Sequence, residues 1–124
     1  MAIVVGYVPT KEGAAALARA GEEALLRKTN LVVINSGRDG APDANTDIES
    51  LGADLKSQGI DVEVRQLIRG NEPAEDLISV ADEISAELIV IGLRRRTPVG
   101  KLILGSNAQR ILLDASCPVL AVKS

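Results

Sequence analysis

The segment Leu88-Ile-Val-Ile-Gly92-Leu-Arg-Arg-Arg-Thr-Pro-Val-Gly-Lys-Leu-Ile-Leu-Gly-Ser106 decides the fold. It opens on a continuously apolar, β-branched run, Leu88–Ile91, which reads as a strand buried on both faces of a parallel sheet. It closes on Ser106, read as the N-cap of a helix, with Gln109 three residues on completing a capping box. Strand, glycine-bearing basic loop and helix N-terminus thus follow one another. In an open α/β sheet this is the arrangement that places a ligand beyond the carboxyl end of a strand.

The same alternation recurs on both sides of this segment. Ala2–Tyr7, Leu31–Asn35, Val62–Leu67 and Val119–Val122 read as four further strands. Within Asp61–Gln66, Val62 and Val64 alternate with Glu63 and Arg65, the pattern of an edge strand with one wet face. A first helix carries Ala14, Leu17, Ala18, Gly21, Ala24 and Leu25 on one stripe, with Thr10 as its cap. A second begins at Thr46, with Glu49 completing a capping box, buries Ile48, Leu51 and Leu55, and ends at Gly59. A third runs from about Glu72 to Ala86, with Pro73 in its first turn and Ala74, Leu77, Ile78, Ala81 and Ile84 inward. The fourth turns Ala108, Ile111, Leu112 and Ala115 inward. The order βαβαβαβαβ gives an α/β fold, a five-stranded parallel sheet with helices on both faces. Ser36–Asn45 is the longest expected loop, and no internal repeat or second domain is evident.

Composition narrows the chemistry. With 124 residues, 46% hydrophobic and 25% charged, the chain matches one domain of ordinary size. There is one Tyr, no Phe and no Trp, so the core is built from Val, Ile, Leu and Ala. The absence of His removes the usual general base, the usual triad member and the commonest metal ligand. A single cysteine, Cys117, excludes an internal disulfide, a thiolate cluster and a Cys-X-X-Cys redox pair. It precedes Pro118 and reads as a buried small hydrophobe. A net charge of −3 and the lack of stacking aromatics argue against nucleic acid as a partner. No apolar run has the length of a membrane span, and Met1–Tyr7 is too short for a signal-peptide core. A soluble cytoplasmic protein is expected.

Candidate ligand positions lie at the strands' carboxyl ends, in Val8–Thr10, Ser36–Gly40, Arg69–Asn71 and Leu93–Ser106. The last is the most informative. Arg94, Arg95, Arg96 and Lys101 place 4 of the 14 basic residues within eight positions, and the helix start at Gly105–Asn107 offers free backbone N–H groups. A phosphate-bearing ligand accounts for both economically. The alternative readings are plain ones: Ser106 as a cap alone, Gly92 and Gly105 as backbone requirements, the arginines as a solvated face. Asp82, Glu83 and Glu87 read as the polar face of a helix. Gly100-Lys101 is followed by Leu102, so no Walker-type Gly-Lys-Ser/Thr is present.

On the strand, the glycine loop and the closing Cys117-Pro-Val-Leu-Ala-Val-Lys123, the chain resembles the universal stress protein family along its whole length. Members that bind ATP carry Gly, two residues, Gly, nine residues, Gly, then Ser or Thr. Gly92, Gly105 and Ser106 match that spacing, and Arg95 stands at the second glycine. Val8 stands where the family often has an acidic residue near adenine. The resemblance implies an adenine nucleotide alpha-hydrolase-like sheet of strand order 3-2-1-4-5 and a homodimer joined through Val119–Val122, a strand whose apolar edge calls for pairing. It implies a dimeric nucleotide-binding module of the stress response, taking ATP or another adenine nucleotide, with Mg as a possible companion. The Tyr7–Val8 backbone and Ser36 would then border the base, and Gly70 the ribose. Gly92, Gly105, Ser106 and Asn107 would hold the phosphates, assisted by Arg95 or Lys101. The alternative is an interaction protein of the same fold without nucleotide, its arginines meeting an acidic partner. With no His and no evident base, enzymatic turnover is not expected.

Overall fold

The computed structural model describes residues 2–8, 10–35, 42–66, 72–93 and 105–123, with only the backbone described over 42–47. Its elements run β1 (Ala2–Tyr7), α1 (Lys11–Arg27), β2 (Asn30–Asn35), α2 (Pro42–Ser57), β3 (Val62–Gln66), α3 (Pro73–Glu83), β4 (Leu88–Leu93), α4 (Ser106–Asp114) and β5 (Val119–Lys123). The five strands are parallel, in the order β3-β2-β1-β4-β5. β3 and β5 are therefore the edges, as the alternation in Asp61–Gln66 predicts for β3.

Alternation along each buried strand divides the apolar residues between two layers. Ile3, Val5, Tyr7, Leu31, Val33, Leu88 and Val90 face α1 and α2. Val4, Val32, Ile34, Ile89 and Ile91 face α3 and α4. β1 lies at the centre, and its neighbours β2 and β4 continue the sheet in opposite directions. The β1–β4 boundary is thus the switch point of the winding, where a crevice opens beyond the carboxyl ends.

The ends of α1, α2 and α3 share one device. After α1, Lys28 takes the left-handed conformation (φ 53°), and the Thr29 N–H donates to the Ala24 carbonyl at 3.0 Å. After α2, Gly59 does the same at φ 88°, and Ile60 N–H donates to Leu55 O at 2.9 Å. After α3 it is Ser85 (φ 53°), with Ala86 N–H donating to Ala81 O at 2.8 Å. Each is a Schellman stop that satisfies end carbonyls and turns the chain toward the next strand.

Several local expectations are corrected. The buried residues of α1 are Gly13, Ala16, Leu17, Ala20, Gly21 and Ala24, while Ala14 and Ala18 are exposed and Leu25 half-buried. The stripe is rotated because Ala and Gly carry little hydrophobic signal and the helix turns its smallest residues toward the sheet. α2 starts at Pro42, not at Thr46, so Thr46 lies within the helix and the expected loop is shorter by the four residues 42–45. α3 stops at Glu83, and the left-handed Ser85 lies where helix was expected. Glu87 accordingly lies beyond that helix, its N–H donating to the Ala2 carbonyl. On α4, Leu112 is 41% exposed rather than inward, and Leu113 beside it is 83% exposed. Thr10 does cap α1, its hydroxyl accepting from Gly13 N–H at 3.2 Å.

Candidate functional site

A cleft of about 170 Å³ opens at the carboxyl ends of β1 and β4. Gly6 of β1 and Val8 just beyond it form its floor, with Ile91 and Gly92 of β4. Glu12 and Gly13, in the first turn of α1, make one wall. Pro73 and Leu77 of α3, with Asn107, Ala108 and Ile111 of α4, make the other. Three helices thus direct their N-terminal turns toward one place, as parallel-sheet topology requires.

Close packing of backbones shapes this cleft. A Cβ on Gly92 would lie 2.3 Å from the Glu12 carbonyl oxygen, and one on Gly13 would lie 1.8 Å from that of Val8. These glycines let α1 settle onto β1 and β4, closer than any side chain would allow. On the opposite face a Cβ on Gly6 would meet Leu77 Cδ1 at 2.9 Å, a contact with a side chain and not with the backbone of α3. The Val8 carbonyl also accepts from Thr10 N–H at 2.7 Å, which holds the turn into α1.

The α4 N-terminus supplies the polar pole. Gly105 is its N-cap and provides no side-chain cap bond. Gln109 N–H donates to the Gly105 carbonyl at 3.0 Å, so the N–H groups of Ser106, Asn107 and Ala108 precede the first helical acceptor. Together with the helix dipole they favour an anion. Arg110, one turn further along, pairs with Glu75 at 3.0 Å, Glu72 at 3.6 Å and Asp114 at 3.8 Å, tying α4 to α3.

Of the sequence candidates, Val8, Gly92 and Asn107 line the cleft. Tyr7 is adjacent, but its side chain is buried in the layer beneath α1 and α2, leaving only its backbone for a ligand. Gly105 is half-buried at the cap. Ser106 is corrected from N-cap to first helical residue: it is exposed, makes no capping bond, and so forms no capping box with Gln109. Ser36, Gly70, Arg95 and Lys101 lie outside the described residues, as do Arg94 and Arg96. The sequence reading missed Gly6, Ile91, Ala108 and Ile111 as site residues, and also Glu12, Gly13, Pro73 and Leu77, which line the cleft from the starts of α1 and α3. The one available signal was topological, since a helix following a switch-point strand must begin at the crevice. Among the described residues no group of three or more His, Cys, Asp or Glu could hold a metal ion, and no helix is long and apolar enough to cross a membrane.

The universal stress protein family model matches residues 1–123. Over 126 residues the chain is 45% identical to a universal stress protein of Mycolicibacterium smegmatis, covering 98% of this chain and 96% of the relative. Its fold is similar to that of the universal stress protein from Archaeoglobus fulgidus in complex with dAMP, with TM-score 0.69, 27% identity and coverage of 99% and 98% of the two chains. A universal stress protein in complex with cAMP is similar at TM-score 0.76 and 26% identity, with coverage of 99% and 96%.

Proposed function

The chain belongs to the universal stress protein family, and from that premise we propose that it is a cytoplasmic stress-response regulator that holds an adenine nucleotide in the cleft between β1 and β4. The observation that carries this reading is the meeting of two features at the switch point. One is a crevice floored by Gly6, Val8 and Gly92; the other is an α4 first turn with N–H groups free of helical acceptors. The dAMP and cAMP complexes of relatives with this fold support the choice of an adenine nucleotide. In this reading the Tyr7–Val8 backbone and Ser36 border the base and Gly70 the ribose. Gly105, Ser106 and Asn107 meet the phosphate through backbone N–H groups, with Arg95 or Lys101 adding charge. Gly92 acts by letting α1 approach. The protein regulates by binding and not by turnover.

The same reading includes a homodimer through Val119–Val122. Among the described residues β5 is an edge strand, and its residues Val119 to Val122 stay half-buried with no described strand on the outer side. Mass spectrometry of small molecules released on denaturing freshly purified protein tests the nucleotide, and sedimentation at micromolar concentration tests the dimer. An adenine nucleotide and twice the 13.0 kDa chain mass are expected. Purified protein without nucleotide, whose melting temperature does not respond to added nucleotide, leaves the interaction-protein reading in its place.

A further inference from the structure

We propose that α4 couples the cleft to the β5 edge: a bound nucleotide docks the helix, and the docked helix favours a second copy of the chain. The inference rests on the nucleotide and dimer readings above and deepens them by naming what links them. α4 is lightly anchored. It has one buried residue, Ile111, against six in α1 and four in α3. Its ion pairs to α3 run from Arg110 to Glu72 and Glu75, all three exposed side chains, and pairs of that kind contribute little. A helix held by so little buried apolar surface opens at low free energy. Ile111 also lines the cleft, with Asn107 and Ala108. A molecule in the cleft therefore packs on the residue that anchors α4.

Successive helical residues turn by about 100°, so Arg110 and Leu112 leave α4 on opposite flanks of the inward Ile111. The Arg110 flank meets α3, which packs over β1 and β4. The Leu112 flank turns the other way, to the side where β5 ends the described sheet, and Leu112 is exposed there. Val119 and Ala121 of β5 pack against the same apolar layer as Ile111. Leu112 thus extends the half-buried apolar edge Val119–Val122, and a second copy paired along β5 covers it when α4 is docked. A ligand and a partner that both favour the docked helix bind with positive, reciprocal coupling.

Hydrogen exchange and sedimentation equilibrium of the full chain, with and without saturating AMP, test this. Exchange is read at the amides of residues 110–114, past the first turn where the phosphate bonds. AMP is expected to slow it at least about fivefold and to lower the dimer dissociation constant by a similar factor. Leu112→Gln, outside the cleft lining, is expected to keep the AMP protection of α4 and to lose most of the AMP effect on the dimer. A thermal melt checks that variant's fold. AMP that binds in calorimetry yet leaves exchange at 110–114 unchanged would overturn the inference and leave nucleotide binding intact. A dimer constant indifferent to AMP would do the same, as would a full AMP effect in Leu112→Gln. Failure of AMP to bind would overturn both readings.

Discussion

Gly92 of β4 and Glu12 of α1 touch backbone to backbone: a Cβ on the glycine would stand 2.3 Å from the glutamate's carbonyl oxygen. The contact joins residues far apart in sequence and fixes the depth of the cleft, because it sets how far α1 descends onto the sheet. Gly92→Ala is therefore expected to lower stability by about 1–3 kcal/mol, the cost of forcing a methyl into a packed contact. Gly13→Ala, with the Val8 carbonyl at 1.8 Å, is expected to be worse. Gly52→Ala is the control. Its Cβ would meet Val62 at 3.9 Å, ordinary contact, and in a helix interior the change is expected to add about 0.5–1 kcal/mol. Urea denaturation of the three variants checks the order, and a Gly92→Ala protein as stable as wild type would contradict it.

Two of the three Schellman stops use residues that carry a Cβ. Lys28 and Ser85 both sit at φ 53°, where a side chain crowds the following carbonyl. Lys28→Gly and Ser85→Gly are each expected to raise stability by about 0.5–1 kcal/mol, since the strain relieved exceeds the added chain entropy. Gly59→Ala is expected to lose a similar amount at φ 88°. Thermal melts of the single variants provide the test, and opposite signs at 28 and 59 are the diagnostic result.

The alternation of β-branched runs with helical stripes made the sheet and the number of elements legible, because both faces of a central parallel strand must be apolar. The family spacing of Gly92, Gly105 and Ser106 carried the strand order. Helix registers were harder to read. α1 buries Gly13, Ala16 and Ala20 against the sheet, and residues that small leave almost no trace in a hydrophobic pattern. Of the cleft, Val8, Gly92 and Asn107 were legible, because they stand at strand ends and at a helix start. Glu12, Gly13, Pro73 and Leu77 sit in helix starts that look ordinary in sequence. Only the three-dimensional convergence of α1, α3 and α4 gives them a common role.

Cys117 lies half-buried after α4, and its burial, ahead of a smaller contribution from Asp82, pushes the thiol pKa above its ordinary value. The folded chain thus holds this proton at alkaline pH where the unfolded chain has released it. Its contribution to stability is complete below the unfolded thiol pKa and is lost as pH rises through the folded value. Cys117→Ala is expected to flatten that alkaline loss. In the wild type, iodoacetamide at pH 8 is expected to modify the native thiol more slowly than the urea-unfolded one, because only the thiolate reacts. Equal rates in the two states would remove burial as the controlling factor.

Gly105 precedes α4 with φ −69° and ψ 167°, backbone that any residue adopts. Neither left-handed geometry nor strain therefore explains a glycine there, and Ser106 beside it makes no capping bond. Gly105→Ala and Ser106→Ala are accordingly expected to change stability by no more than about 0.5 kcal/mol in denaturant melts, as exposed or unstrained sites do. Ligand binding separates them from silent positions. If the phosphate meets the N–H groups of Ser106 and Asn107, a branched side chain at 105 blocks its approach. Gly105→Val is then expected to weaken AMP on the order of 10- to 100-fold, the worth of one or two hydrogen bonds to a charged group. Adenosine, which brings no phosphate to this turn, is expected to bind Gly105→Val as it binds wild type. Ser106→Ala retains the backbone donors and is expected to keep most of the affinity, since the serine hydroxyl stands exposed and outside the cleft lining. A Gly105→Val protein that binds AMP like wild type would move the phosphate away from α4. The free N–H groups there would then serve a partner protein's acidic residues in place of a nucleotide.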